Sequence, residues 1–133
     1  MANSIEILHL ASQYLAAANL CFVAPRKDDS HSNLGWDKSL VSLITHDLND
    51  DGLKLSLNYQ YYSLDFIHPV ERTVASYPLI GARHLDVLNW LVRECEFMQL
   101  GRAYEYSFHY ELPYSPISDE YIFPPISEDE LQR

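Results

Sequence analysis

Hydrophobic and polar positions alternate most cleanly across residues 103–112. Tyr104, Tyr106, Phe108, Tyr110 and Leu112 fall on one side, and Glu105, Ser107, His109 and Glu111 on the other. A period of two built from aromatic residues predicts a strand with one packed face and one wet face. The same period runs through Leu53, Leu55, Leu57, Tyr59 and Tyr61, with Lys54, Ser56, Asn58 and Gln60 opposite. Residues 40–47 and 53–61 are thus expected as the arms of a hairpin around Asn49-Asp50-Asp51-Gly52. Past Tyr61 the alternation changes phase, to Tyr62, Leu64 and Phe66, as a bulge or bend would make it do. His68-Pro69 ends that run, and residues 73–80 are a further short strand that Pro78 assigns to a sheet edge.

Two segments carry a helical pattern instead. Asn3 with Glu6 reads as a capping box that opens a helix running to about Leu20. Its polar positions, Glu6, His9 and Gln13, form one narrow strip, and Ile5, Ile7, Leu8, Leu10, Leu15 and Ala16-Ala17-Ala18 cover the rest. A helix apolar over most of its circumference needs more than one packing surface, either a sheet or a second subunit. Residues 82–100 predict the second helix, with Leu85, Leu88, Leu91, Val92, Cys95 and Met98 as the core stripe. Arg83, Asp86, Asn89, Arg93 and Glu96 form its wet face, and Gly101 is placed to cap its end.

The element order implies an α+β fold: one antiparallel sheet of about 3–5 strands with two main helices on one face. Residues 1–112 form the single expected domain. Residues 113–133 form an extended arm rich in proline, aromatic and acidic residues. Ser127 and Glu130 look like the start of another helix, which expects either a neighbour to pack on or further chain.

With 9 Lys and Arg against 19 Asp and Glu, the chain carries a net charge of −10. Only Pro25-Arg26-Lys27 is locally basic, and Asp28-Asp29 cancels it, so nucleic acid and anionic membranes are not expected as partners. The acidity is concentrated toward the end, where Glu105, Glu111, Asp119, Glu120, Glu128, Asp129 and Glu130 face Arg133 alone. Cys21 and Cys95 fit neither a disulfide framework nor a zinc pattern. Reduced thiols, and an N-terminus without the basic region of a secretory leader, predict a cytoplasmic protein.

Three places hold candidate chemistry. Residues 28–33 group Asp28, Asp29, Ser30, His31, Ser32 and Asn33, and Asp29 and His31 are the candidate metal ligands. With Glu105 and His109 of the expected strand opposite, Asp29 and His31 would make a small-ligand or divalent-metal-dependent, hydrolase-like catalytic set. Residues 47–52 resemble the opening of a calcium loop, but its twelfth position is Asn58 rather than the bidentate Glu such a site needs. A hairpin turn explains the same residues. Four glycines are too few and too scattered for a phosphate-cradling loop. The leading functional expectation is therefore association, as a homo-oligomer or with a protein partner. Its contacts would come from the first helix or from Tyr114, Tyr121 and Phe123 of the arm. Catalysis by Asp29, His31, Glu105 and His109 is the alternative.

Overall fold

The structure, a computed structural model, describes residues 4–23, 34–70, 72–106 and 120–125, with side chains from residue 7 onward. In chain order the elements are α1 (Ser4–Phe22), β1 (Gly35–Asp37), β2 (Ser42–Ile44), β3 (Lys54–Asn58), β4 (Ser63–His68), β5 (Arg72–Pro78) and α2 (His84–Phe97). The strands form one antiparallel meander in the order β1-β2-β3-β4-β5. The chain has the expected α+β class, with two helices and a single open sheet among the described residues.

Register shows why the sheet has an apolar face. Trp36, Leu43, Leu57, Leu64 and Tyr77 lie opposite one another across the strands, and Leu55, Phe66 and Ala75 make the next row. Leu55, Leu57, Leu64 and Phe66 are fully buried in one core with residues from both helices. Trp90 of α2 stacks on Phe66 and Tyr77, with ring centroids 5.5 and 5.3 Å apart. Each such aromatic pair adds about 0.5–1.5 kcal/mol beyond the area it buries. Trp36 is 47% exposed on edge strand β1, where it makes a T-shaped contact with Tyr59.

The opposite face is not the open, wet surface that alternation alone predicts. Ser42, Ser56, Ser63 and Asp65 are all buried there. Ser63 and Ser76 each donate a hydroxyl to Asp65 Oδ1, at 3.1 and 2.5 Å, and Ser56 donates to the Asp65 carbonyl. Short hydroxyl side chains recess below larger neighbours and satisfy their hydrogen bonds within the sheet.

The phase change at Tyr61-Tyr62 is a turn, not a bulge. β3 ends at Asn58, whose Oδ1 accepts the backbone N–H groups of Gln60 and Tyr61, and β4 begins at Ser63 opposite it. An asparagine side chain that captures the next amides reverses the chain without glycine or proline. Residues 47–52 also form a turn: Asn49 Oδ1 accepts from Asp51 and Leu53, so this side chain serves the backbone rather than a cation. Gly52 is required there. Its φ is +85°, and a Cβ would lie 2.8 Å from Pro69. Pro78 ends edge strand β5. Leu79 donates to Tyr62 at 3.0 Å, so alternation turns position 78, which has no N–H, away from β4.

α1 is buried along residues 7–19 except at His9. α2 is rotated from its expected phase: His84, Val87, Trp90, Leu91 and Cys95 are its buried residues, and Val92 is exposed. The large indole of Trp90 fills the space over the sheet, which turns Val92 outward. α2 ends before Gly101. Gln99 adopts φ +56°, its N–H bonds the Glu96 carbonyl, and Leu100 N–H bonds the Cys95 carbonyl. These two bonds make a Schellman motif with glutamine where glycine is favoured.

The described part of the expected strand at 103–112, residues 103–106, joins no sheet. Tyr104 is buried and Glu105 exposed, so its alternation marks burial against the helices rather than strand pairing. Tyr121–Phe123 of the expected arm belong to the folded unit. Ile122 bridges Arg83, Phe123 exchanges backbone hydrogen bonds with Gly81 and Ala82, and His84 N–H bonds the Tyr121 carbonyl.

Replacing Gln99 with glycine relieves a left-handed strain of roughly 1–2 kcal/mol while adding unfolded-state entropy worth about 0.4–1 kcal/mol. Urea denaturation of Gln99→Gly is therefore expected to show a net gain of up to about 1.6 kcal/mol.

Candidate functional site

The chemistry-bearing side chains that the described structure brings together lie around Tyr14. This residue points from α1 toward the start of α2, and its hydroxyl lies 2.6 Å from Nδ1 of His84. Tyr106, Phe123 and His84 surround its ring with centroids at 5.4, 6.0 and 5.5 Å. Tyr104, from the segment after α2, donates its hydroxyl to the Tyr14 carbonyl at 2.9 Å. Three parts of the chain thus converge on one turn of α1: the beginning of α2, the stretch that follows it, and residues 121–123.

Electrostatics makes this cluster quiet near neutral pH. Burial pushes the phenols of Tyr14, Tyr62 and Tyr104 well above the usual tyrosine range, and neighbouring phenols push them in the same direction. Burial, with smaller contributions from Cys21 and Glu94, pushes the Cys95 thiol up to about 12. Cys21 is also raised by burial, although the N–H of Glu105 donates to its sulfur at 3.3 Å and partly opposes the shift. Protonated phenols and thiols are poor nucleophiles and poor bases. The arrangement acts as a hydrogen-bonded aromatic clamp that joins the two helices.

Of the four expected catalytic residues, Asp29, His31 and His109 lie outside the described residues. Glu105 is exposed beside Cys21 and is not on the sheet. The metal pair Asp29 and His31 lies outside them as well. Among the described residues, no group of three or more His, Cys, Asp and Glu side chains could hold a metal ion. Of the expected contact residues, Tyr114 lies outside the described set, Tyr121 is half-buried against Phe123, and Phe123 is fully buried in the core. Phe123 therefore has no surface to offer a partner. α1, the other expected contact, has its apolar circumference covered within one chain.

The sequence pattern missed the outer side of α2. Val92 is 39% exposed there and Phe97, at the last helical position, is 83% exposed. Val92 borders an open groove of about 290 Å³ whose walls include Cys95, Glu96, Leu100 and Arg102. Phe97 carried a signal, since it falls outside the stripe that Leu91 and Cys95 define, but an exposed phenylalanine is visible only once the helix phase is known. Two ion pairs fix the start of this helix: Arg83 with Asp86 at 3.1 Å and with Glu120 at 3.3 Å.

No family model, no curated protein and no solved structure matches this chain. Among the described residues, no helix is long and apolar enough to cross a membrane.

Two measurements probe the clamp. Tyr14→Phe leaves His84 Nδ1 without its buried hydroxyl partner and is expected to cost about 1–3 kcal/mol in denaturant unfolding. Stability should also fall in alkali. The buried thiol and phenols hold their protons to higher pH in the folded chain than in the unfolded one. Their contribution is thus complete well below pH 9.0, where an ordinary thiol is half ionised, and for Cys95 it is lost as pH rises toward about 12. Urea midpoints taken across that range should decline steadily, and a flat profile would contradict the burial described here.

Proposed function

We propose that this chain is a self-associating domain with no chemistry of its own, working in the cytoplasm, where its two thiols stay reduced. Phe97 carries the proposal: a phenyl ring 83% exposed at the end of a helix, on the same outward side that exposes Val92. Scattered surface hydrophobes are ordinary, but large aromatics are among the residues that protein contacts favour. The quiet electrostatics of the Tyr14 cluster support the same reading, because burial raises the phenols of Tyr14 and Tyr104 well above their ordinary range.

The association moves from where the sequence pattern put it. α1 and Phe123 serve the interior of a single chain. Removing residues 113–133 would strip Phe123 from the core and damage the fold, so that deletion does not test the contact.

The test is the mass of the whole chain by light scattering, from low micromolar to several hundred micromolar. A mass that climbs toward two chains is expected. The mass of a single chain throughout that range would overturn the reading.

A further inference from the structure

The outer side of α2 is a place where two copies of this acidic chain can approach with less repulsion than their net charge implies. The chain carries −10, yet residues 83–103 hold Arg83, Arg93 and Arg102 against Asp86, Glu94 and Glu96 and are neutral as a segment. Two like-charged proteins meet most readily where their fields cancel.

The positions on that side are themselves complementary. Asn89, Val92, Arg93, Glu96 and Phe97 are all exposed. At 3.6 residues per turn, Asn89, Arg93 and Glu96 run along the middle of the face at spacings of four and three, with Val92 on one flank and Phe97 on the other. A parallel pairing of two such helices sets Arg93 against Arg93 and Glu96 against Glu96. An antiparallel pairing about a twofold axis sets Arg93 of each copy against Glu96 of the other, twice over. It also brings the two Phe97 rings to one flank of the seam and the two Val92 side chains to the other.

We propose that the partner is a second copy of this chain, docked α2 against α2 in antiparallel orientation, with reciprocal Arg93–Glu96 contacts flanked by Phe97. This rests on the self-association reading and specifies its surface. Both charged residues are exposed, so exchanging them leaves the fold intact. Phe97 is exposed and has no place in the core.

The experiment measures the dimer dissociation constant of the full chain by sedimentation equilibrium, for wild type, Arg93→Glu, Glu96→Arg, the double exchange and Phe97→Ser. Each single reversal turns two attractive contacts into two repulsive ones and should weaken the dimer by about tenfold or more. The double exchange restores opposite charges and should return affinity to within about threefold of wild type. Phe97→Ser should weaken the dimer without altering the thermal midpoint of dilute protein. A wild-type dimer indifferent to all four variants overturns this surface and leaves self-association standing. So does a double exchange as weak as the single reversals. A wild-type chain that stays monomeric overturns both.

Discussion

Everything in this molecule is arranged around a helix that has almost no polar side. Residues 7–19 of α1 are buried except for His9, and a helix apolar around its circumference has to be surrounded. The sheet supplies one wall through Leu55 and Leu57 of β3. The start of α2, the stretch after it and residues 121–123 supply the others. The alanines at 11 and 16–18 let these walls come close, and Tyr14 fills the space between them. The few polar groups on α1 are handled locally or by the surrounding elements. Ser12 and Gln13 donate to the His9 carbonyl, and Asn19 Oδ1 accepts the backbone N–H of His46. The last of these ties α1 to the turn between β2 and β3, so the helix also positions the sheet.

Enclosing a helix in this way fixes what the interior can do. Burial, with neighbouring phenols, raises Tyr14 and Tyr104 still further above the range in which a phenol ionises, and the nearby thiol of Cys95 follows. Tyr62 shows the cost of the arrangement. It takes a left-handed backbone angle of +52°, unusual for a bulky residue, and its buried hydroxyl has no hydrogen-bond partner among the described residues. The turn that starts at Asn58 forces the angle, and the ring completes the core. Groups held this way stabilise a fold and are badly placed for acid–base work at neutral pH.

The sequence made some of this legible and hid the rest for physical reasons. The hairpin around Gly52 could be read because asparagine, aspartate and glycine signal a turn directly. The edge strand at Pro78 could be read because proline has no N–H to give. The turn after Asn58 could not, since Tyr59, Gln60, Tyr61 and Tyr62 are not turn formers and the decisive bonds come from one side chain. The core stripe of α2 is legible at Leu88, Leu91, Cys95 and Met98, but its turn toward His84, Val87 and Trp90 and away from Val92 is hidden, because the leucines outnumber the residues that set the orientation. Along residues 103–106 alternation was real, but it recorded which side chains face the helices, and period two cannot distinguish that from membership in a sheet. For the candidate site, composition marked Asp29, His31 and His109, which lie outside the described residues. Phe97, the residue on which the functional argument now rests, became visible only when the fold gave its helix a direction.

The strong acidity of the chain then takes on a structural meaning. A net charge of −10 is often no more than an aid to solubility. Here it coexists with a segment, residues 83–103, in which three arginines offset three acidic residues, beside an exposed aromatic ring. Repulsion over the remainder of the surface raises the free energy of every encounter that does not present the neutral segment, while leaving that encounter unopposed. In the proposed dimer, orientation would be selected by what is disfavoured elsewhere as much as by what attracts. In the proposed dimer the same logic would account for the modest apolar content of the α2 face: Phe97 and Val92 would need only to hold a contact that charge had already directed.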